Sequence, residues 1–394
     1  VGNTVTTGSV TIPMMKKTGY PPEFAGAVEA ASSTGGQIMP PIMGAAAFIM
    51  AEMTGYEYSD IIVRAILPAF LYFLGIFLGV HFKAKKLGLV GLKREELPKW
   101  KILLPKIYLL LPLIVLTWMV IAGQTMAKSA IYGTIVAIAV GIINKDDRMT
   151  PTKFVNGLEN GGKNCLSIGI ACGIAGIISV CITMTGLGGL LITYVVKLSN
   201  GHLFIALFLT MICCIILGMG VPTTANYIIM ASTCAPILIN GMGMHILAAN
   251  MFVFYFGIVA DITPPVALAA YAGAAIAKAP PMKTALNATR LAIAAFIIPY
   301  IFAYNNAMIF VGDVTFFGVA SIVISATLGM ASIASGFMGY LIHDLKWYSR
   351  IALIAGGLLM VIPGTVTDLA GLAILIVILL IQRAENKKEK KAAV

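Results

Sequence analysis

Charge is what this sequence has least of. Only 11% of its 394 residues are Asp, Glu, Lys or Arg, where a soluble domain carries about 25%. Acid is scarcer than base, 16 residues against 27. Between Glu159 and Asp313 there is a single carboxylate, Asp261. Hydrophobic residues make up 59% of the chain, in runs too long and too numerous for one globular core. A soluble fold is excluded, and a polytopic α-helical membrane protein is what remains.

Other shortages narrow the function. The six cysteines (Cys165, Cys172, Cys181, Cys213, Cys214, Cys234) lack zinc-ligand spacing and read as small packing residues within or beside apolar segments. There is no H-E-x-x-H, and Asp261 has no acidic partner at matching depth, so an intramembrane enzyme lacks both a metal pair and an acid–base pair. The expectation is neither an enzyme nor a cofactor protein. The four histidines mostly flank predicted spans and carry no assigned role. A passive channel would show repeated pore-lining rings, and none is visible.

Base is plentiful but localised. Lys83, Lys85, Lys86, Lys93, Arg94, Lys99, Lys101 and Lys106 fill loop 83–106, and more follow in "QRAENKKEKKAAV". Short basic segments beside apolar spans mark the cytoplasmic side. No basic stripe with interleaved aromatics exists, so nucleic acid is not an expected partner.

Plain spans are expected near 61–82, 107–123, 129–144, 202–219, 284–304, 314–340 and 366–382, with shorter ones near 165–184 and 350–363. The pair 107–123 and 129–144 is short enough to pack tightly. The charged loop "NKDDRMTPTK" then follows.

Two regions, 1–52 and 218–275, are apolar enough for the membrane yet interrupted by Gly, Ser, Thr, Asn and Pro, which break helices. They share an order. Each has a tip (Gly2-Asn3-Thr4; Gly220 to Thr224), a short arm ending near a proline (Pro13; Pro236) and a Gly-bearing connector. A helix broken at a double proline follows (Pro40-Pro41; Pro264-Pro265), then an Ala-rich half-helix and a span bearing Arg and Pro (Arg64, Pro68; Arg290, Pro299). Paired interrupted segments of this kind point to the binding site of a secondary transporter. The first copy begins at its tip, whereas the second has a preceding arm at 202–219. The expectation is that this chain is a portion of a longer permease.

Unpaired backbone survives in hydrocarbon only when buried in protein or lining a polar cavity. Carbonyls at a half-helix C-terminus, joined by hydroxyl and amide oxygens, suit a hard cation such as Na⁺, and the facing N-terminus attracts a carboxylate. The candidate ion and substrate residues are therefore Gly2, Asn3, Thr4, Ser32, Ser33, Thr34, Gly35, Gly220, Thr223, Thr224, Asn226, Asp261 and Thr263. Among these, Asn3, Ser32, Ser33, Thr223, Asp261 and Thr263 are the Na⁺ candidates. Asp261 is an intramembrane acid and so a functional residue by default. Arg64 and Arg290 read as snorkelling or helix-tying residues.

The motifs "EFAGAVEAASSTGGQIMPPIM", "GMGVPTTANY" and "MFVFYFGIVADITPPVALAAYAGAAIA" resemble the large membrane subunit of tripartite ATP-independent periplasmic (TRAP) transporters over residues 1–304. Residues 305–394 and "GIISVCITMTGLGGLL" resemble the fused permeases that work with TAXI-type binding proteins. The resemblance implies an inverted-repeat, elevator-type secondary transporter in a bacterial or archaeal inner membrane. It implies Na⁺-coupled uptake of an organic acid delivered by an extracytoplasmic solute-binding protein, with the small-subunit portion lying upstream. The alternative is a proton- or Na⁺-coupled anion symporter that works without a binding protein. The implied organisation is the remainder of the first repeat (1–82), a basic cytoplasmic loop (83–106), scaffold helices (107–164), the second repeat (165–304), and C-terminal helices with a cytoplasmic tail (305–394).

Overall fold

Both interrupted regions fold as a short helix, a reversal, and a second helix broken near its middle. The computed structural model describes residues 1–91, 100–144, 148–312, 314–361 and 364–392. Lys93, Arg94 and Lys99 of the basic loop lie outside the described residues, as does the centre of "NKDDRMTPTK". The described residues form helices and no strand beyond one isolated bridge, Tyr340 with Asp344.

In the first region, α1 (Gly2–Lys17) reverses at Thr18-Gly19 into α2 (Pro22–Gly35). A turn carrying Pro40-Pro41 separates α2 from α3 (Ala45–Thr54), and α4 (Tyr58–Lys86) follows. Next come α5 (Trp100–Leu103), α6 (Leu111–Ile121), α7 (Met126–Ile143), α8 (Pro151–Met184) and α9 (Leu187–Ser199). The second region is α10 (Leu203–Leu217), α11 (Thr223–Thr233), a π turn at Ile237–Gly241, and α12 (Ile246–Val259). One 3₁₀ turn (Ala260–Ile262) and Pro264-Pro265 separate α12 from α13 (Leu268–Ala277). α14 (Pro281–Leu291) and α15 (Ile293–Tyr304) continue, and α16 (Phe316–Met338), α17 (Trp347–Leu359) and α18 (Thr365–Ala392) complete the chain.

Five helical stretches are long and apolar enough to cross a membrane: Tyr58–Lys86, Leu104–Ile121, Pro281–Tyr304, Phe316–Met338 and Val366–Glu385. The chain is an all-α, multi-pass membrane protein. Large side chains such as Trp118 and Phe77, 68% and 64% exposed, would be a liability in water and form the lipid-facing surface here. The expected pair at 107–144 is present as α6 packed on α7. The expected span at 202–219 is not a full crossing. α10 has 15 residues, roughly 22 Å at 1.5 Å per residue, against about 30 Å of hydrocarbon. It enters and turns back.

Two further expectations are corrected. The first arm does not stop at Pro13: α1 runs through it to Lys17. Pro13 sits on the exposed face, and membrane helices tolerate such a lost hydrogen bond. α8 is one 34-residue helix, so the boundary placed at 164/165 falls inside a continuous element rather than in a loop.

The long helix α4 gives the two hairpins their direction. Near its C-terminal end, Lys83 lies 5.7 Å from the ring of Phe24 in α2, and Gly19 of the first connector faces Leu89. Just before its N-terminal end, Tyr56 Oη meets His245 Nε2 at 3.2 Å, in the second connector. The two connectors thus lie at opposite ends of a helix of 29 residues, about 43 Å long. One hairpin enters from each side of the membrane, the geometry of an inverted repeat.

The packing exchanges halves in the same way. α1 packs on α2 of its own repeat and on α13 of the other; α11 packs on α12 of its own repeat and on α3 of the other. α2 and α13 meet backbone to backbone. A Cβ on Gly273 would stand 2.5 Å from the carbonyl oxygen of Gly26, and one on Gly26 would stand 2.8 Å from that of Gly273. Only glycine allows that approach, as at many membrane helix contacts. The first halves of the broken helices form the centre of the core. Every residue of α12 from Leu247 to Val259 is buried, which is why its sequence is apolar on all faces.

Candidate functional site

Each hairpin tip folds back onto the break of its own repeat through polar side chains. Asn3 Nδ2 donates to Ser33 Oγ at 3.1 Å, tying tip one to the end of α2. Thr223 Oγ1 lies 3.5 Å from Asp261 Oδ2, tying tip two to the 3₁₀ turn after α12. Gly220 makes the second tip possible with a φ of +76°, in the left-handed region. The two repeats also meet. Thr34 and Gly35 of break one line a small cavity with Tyr255, Ile258 and Val259 of α12. Its volume of about 10 Å³ and its apolar lining leave room for one water at most and far too little for an organic acid.

Sequence reasoning did not single out Glu29, the most heavily bonded acid of the site. It lies in α2, is 7% exposed, and gathers three hydroxyls. Thr7 donates to Oε1, Thr11 donates to Oε2 at 2.5 Å, and Ser33 donates to Oε1 at 2.9 Å. The signal was available: Glu29 stands four residues before Ser33, and Thr7 and Thr11 are spaced four apart on the facing arm, so each pair shares a helix face. Each repeat therefore sets a carboxylate of its broken helix against threonine of its own tip arm.

The freed carbonyls of the breaks are less available than the sequence suggested. Tyr58 donates to Pro41 O or Ile42 O, at 3.1 and 2.7 Å, and Tyr72 donates to Ala31 O at 2.7 Å. In the second repeat Tyr271 donates to Pro265 O at 2.5 Å, and Thr289 lies 3.1 Å from Ile262 O. Thr263 spends its hydroxyl on Val259 O at 2.8 Å, inside its own helix. Both breaks re-enter a helix through a non-glycine residue in the left-handed region, Met43 at φ +53° and Ala267 at φ +35°. Both double prolines are joined by cis peptide bonds.

The remaining candidates divide by environment. Thr4 Oγ1 and Asn226 Oδ1 are buried oxygens without a hydrogen-bond partner, while Asn226 Nδ2 donates to Gly257 O at 3.1 Å. Gly35 is packed under Tyr72, where a Cβ would come within 2.2 Å of the ring. Ser32 and Thr224 are half-buried and make no hydrogen bond with the rest of the site. Gly2 is exposed, and a Cβ there would meet nothing within 4 Å. Arg64 pairs with Asp60 at 3.3 Å and lies 5.3 Å from the Tyr56 ring, so it ties the start of α4 and stays out of the site.

Among the described residues, no three His, Cys, Asp or Glu side chains gather as metal ligands do. The donors here are hydroxyls, amides and single carboxylates, a set for a hard cation.

A tip-bearing arm in the first repeat and a re-entrant hairpin in the second, entering from opposite sides and each closing on a broken helix, define a secondary-transporter permease. The comparison with protein families agrees and is more specific. The chain belongs to the family described as "Tripartite ATP-independent periplasmic transporter, DctM component", whose model matches residues 1–317. A search of curated proteins finds no match.

Proposed function

We propose that this permease drives uptake of a small organic acid with a Na⁺ gradient, receiving its cargo from an extracytoplasmic solute-binding protein. The observation that carries the reading is the pair of tip-to-break contacts, Asn3 to Ser33 and Thr223 to Asp261. They bring oxygen donors of both repeats to interrupted backbone at membrane depth. A cation beside Asp261, Thr223 and the unpartnered Asn226 oxygen would neutralise the one acid of the second repeat and satisfy a buried acceptor together. Asn3, Ser33 and Thr34 form the matching donor group of the first repeat, and Ser32, Thr4 and Thr263 stand beside these groups. The N-termini of α3 and α13 present unpaired N–H groups toward the breaks, a natural place for the cargo carboxylate.

The cavity between the end of α2 and α12 is far too small for the cargo. Cargo binding then requires the tips Gly2 to Thr4 and Gly220 to Asn226 to open, and the two repeats to move as one body against α4, α6, α7 and the C-terminal helices. That is elevator transport. The resemblance of residues 305–394 to fused permeases favours a TAXI-type partner and a small-subunit portion, and the basic residues favour an inner membrane with loop 83–106 and the α18 tail cytoplasmic. The ends of α4 and α18 lie on one side, since Lys86 contacts Asp344 at 3.3 Å and Lys346 contacts Glu385 at 3.2 Å.

Uptake in proteoliposomes tests the reading. Labelled cargo with its binding protein should accumulate with an inward Na⁺ gradient and not with K⁺ in its place. Accumulation that ignores Na⁺ but follows a proton gradient would replace the coupling ion, and accumulation without the binding protein would favour a binding-protein-independent symporter.

A further inference from the structure

The C-terminal helices, beyond the family match, hold a cavity of their own. It has a volume of about 250 Å³ and lies between the end of α15, the start of α16, and the α17–α18 junction. Four polar side chains line it: Asn305, Ser321, Ser325 and Asp368. It continues, across Ser321, Ser325 and Asp368, into an apolar groove of about 380 Å³ walled by Phe317, Ile324, Leu328, Leu369 and Leu372. A polar chamber opening onto an apolar trench is the shape of a site for an amphiphile.

The charge at the polar end is one-sided. Asp368 is half-buried in the first turn of α18. Among the described residues its carboxylate has no basic partner, and its one side-chain contact is Ser325 Oγ, 2.5 Å from Oδ1. That hydroxyl also lies 2.8 Å from Met360 O, so a single proton is shared between two acceptors. The α18 N-terminus offsets part of the negative charge. An intramembrane carboxylate otherwise pairs with a cation, and the open chamber beside Asp368 leaves room for one. Phe316 and Phe317, 82% and 85% exposed, begin α16 at this end on its lipid-facing surface. It is the end opposite the basic tail of α18, since Gln382, near that tail, bonds the α16–α17 loop at Ile342 N, 2.9 Å away.

We propose that this cavity binds a phospholipid with a primary-ammonium head, an ethanolamine-type lipid, from the leaflet opposite the basic tail. The ammonium supplies N–H donors and a positive charge to Asp368, Ser321 and Asn305 stand beside the phosphate, and an acyl chain lies in the groove along Ile324 and Leu372. A quaternary choline head has no N–H to donate, and an anionic glycerol head is repelled.

The purified permease, delipidated in detergent, should gain several degrees of melting temperature from phosphatidylethanolamine and markedly less from phosphatidylcholine or phosphatidylglycerol of the same chains. Asp368→Asn should erase that preference. An equal response to the three headgroups, or a preference that survives Asp368→Asn, overturns the proposal. Should Asp368→Asn not fold, Ile324→Trp, which fills the groove and leaves the acid intact, answers the same question: loss of the ethanolamine effect supports the site, and its persistence refutes it.

Discussion

Glu29 and Asp261 are both carboxylates in apolar helices, yet their bonding separates their roles. Glu29 accepts from three hydroxyls, whereas Asp261 has one contact at 3.5 Å, at the outer limit of a hydrogen bond. Removing Glu29 takes the acceptor from buried Ser33, whereas exposed Thr7 and half-buried Thr11 can turn to Asn3 O and Thr7 O, at 2.8 and 3.0 Å. With about 1–3 kcal/mol at stake per unsatisfied group, Glu29→Ala should destabilise the protein by roughly 2 kcal/mol, and Glu29→Gln, which keeps an acceptor, by less. Thermal melts in detergent check both. Asp261→Asn should shift stability in the absence of Na⁺ by under about 1 kcal/mol, since so little holds the side chain, while raising the Na⁺ concentration needed for half-maximal uptake at least tenfold. A large stability loss with unchanged Na⁺ dependence would reverse the assignment. Asp261 was legible in the sequence because it is isolated. Glu29 was overlooked beside a run of small polar residues: its spacing from Ser33 was visible, but that Thr7 and Thr11 of α1 face it is set by folding.

The breaks were legible at the level of elements, because proline has no N–H and two in succession cannot continue a helix. What satisfies them was not. Tyr58 lies 17 residues from Pro41 and Thr289 lies 27 from Ile262, contacts made by folding and invisible to periodicity. Tyr58→Phe should cost about 1 kcal/mol by removing a part-buried hydrogen bond, and Tyr271→Phe less, because its bond to Pro265 O is exposed, each read as a lower melting temperature without loss of helix content. The contact of α2 with α13 is tighter still. Gly273→Val, whose Cβ would collide with Gly26 O, should destabilise by about 1–3 kcal/mol or more through overpacking. It should also abolish uptake, because this contact joins the two repeats.

At the scale of the molecule, the repeat order was readable because each copy carries the same sequence of tip, arm, connector and double proline. That the copies point in opposite directions followed only from the family resemblance, since charge bias locates loops and does not orient re-entrant segments. α4 resolves it, with one connector at each of its ends. The account rests on those opposed hairpins forming one ion-dependent site, and linkage offers the most direct test. A ligand that binds only the folded state at ten times its dissociation constant stabilises by roughly 1.4 kcal/mol. The purified permease should therefore melt several degrees higher in saturating Na⁺ than in equal K⁺, and Asp261→Asn should cancel the difference. Identical melting in the two salts, or a Na⁺ effect undiminished in Asp261→Asn, would contradict the account.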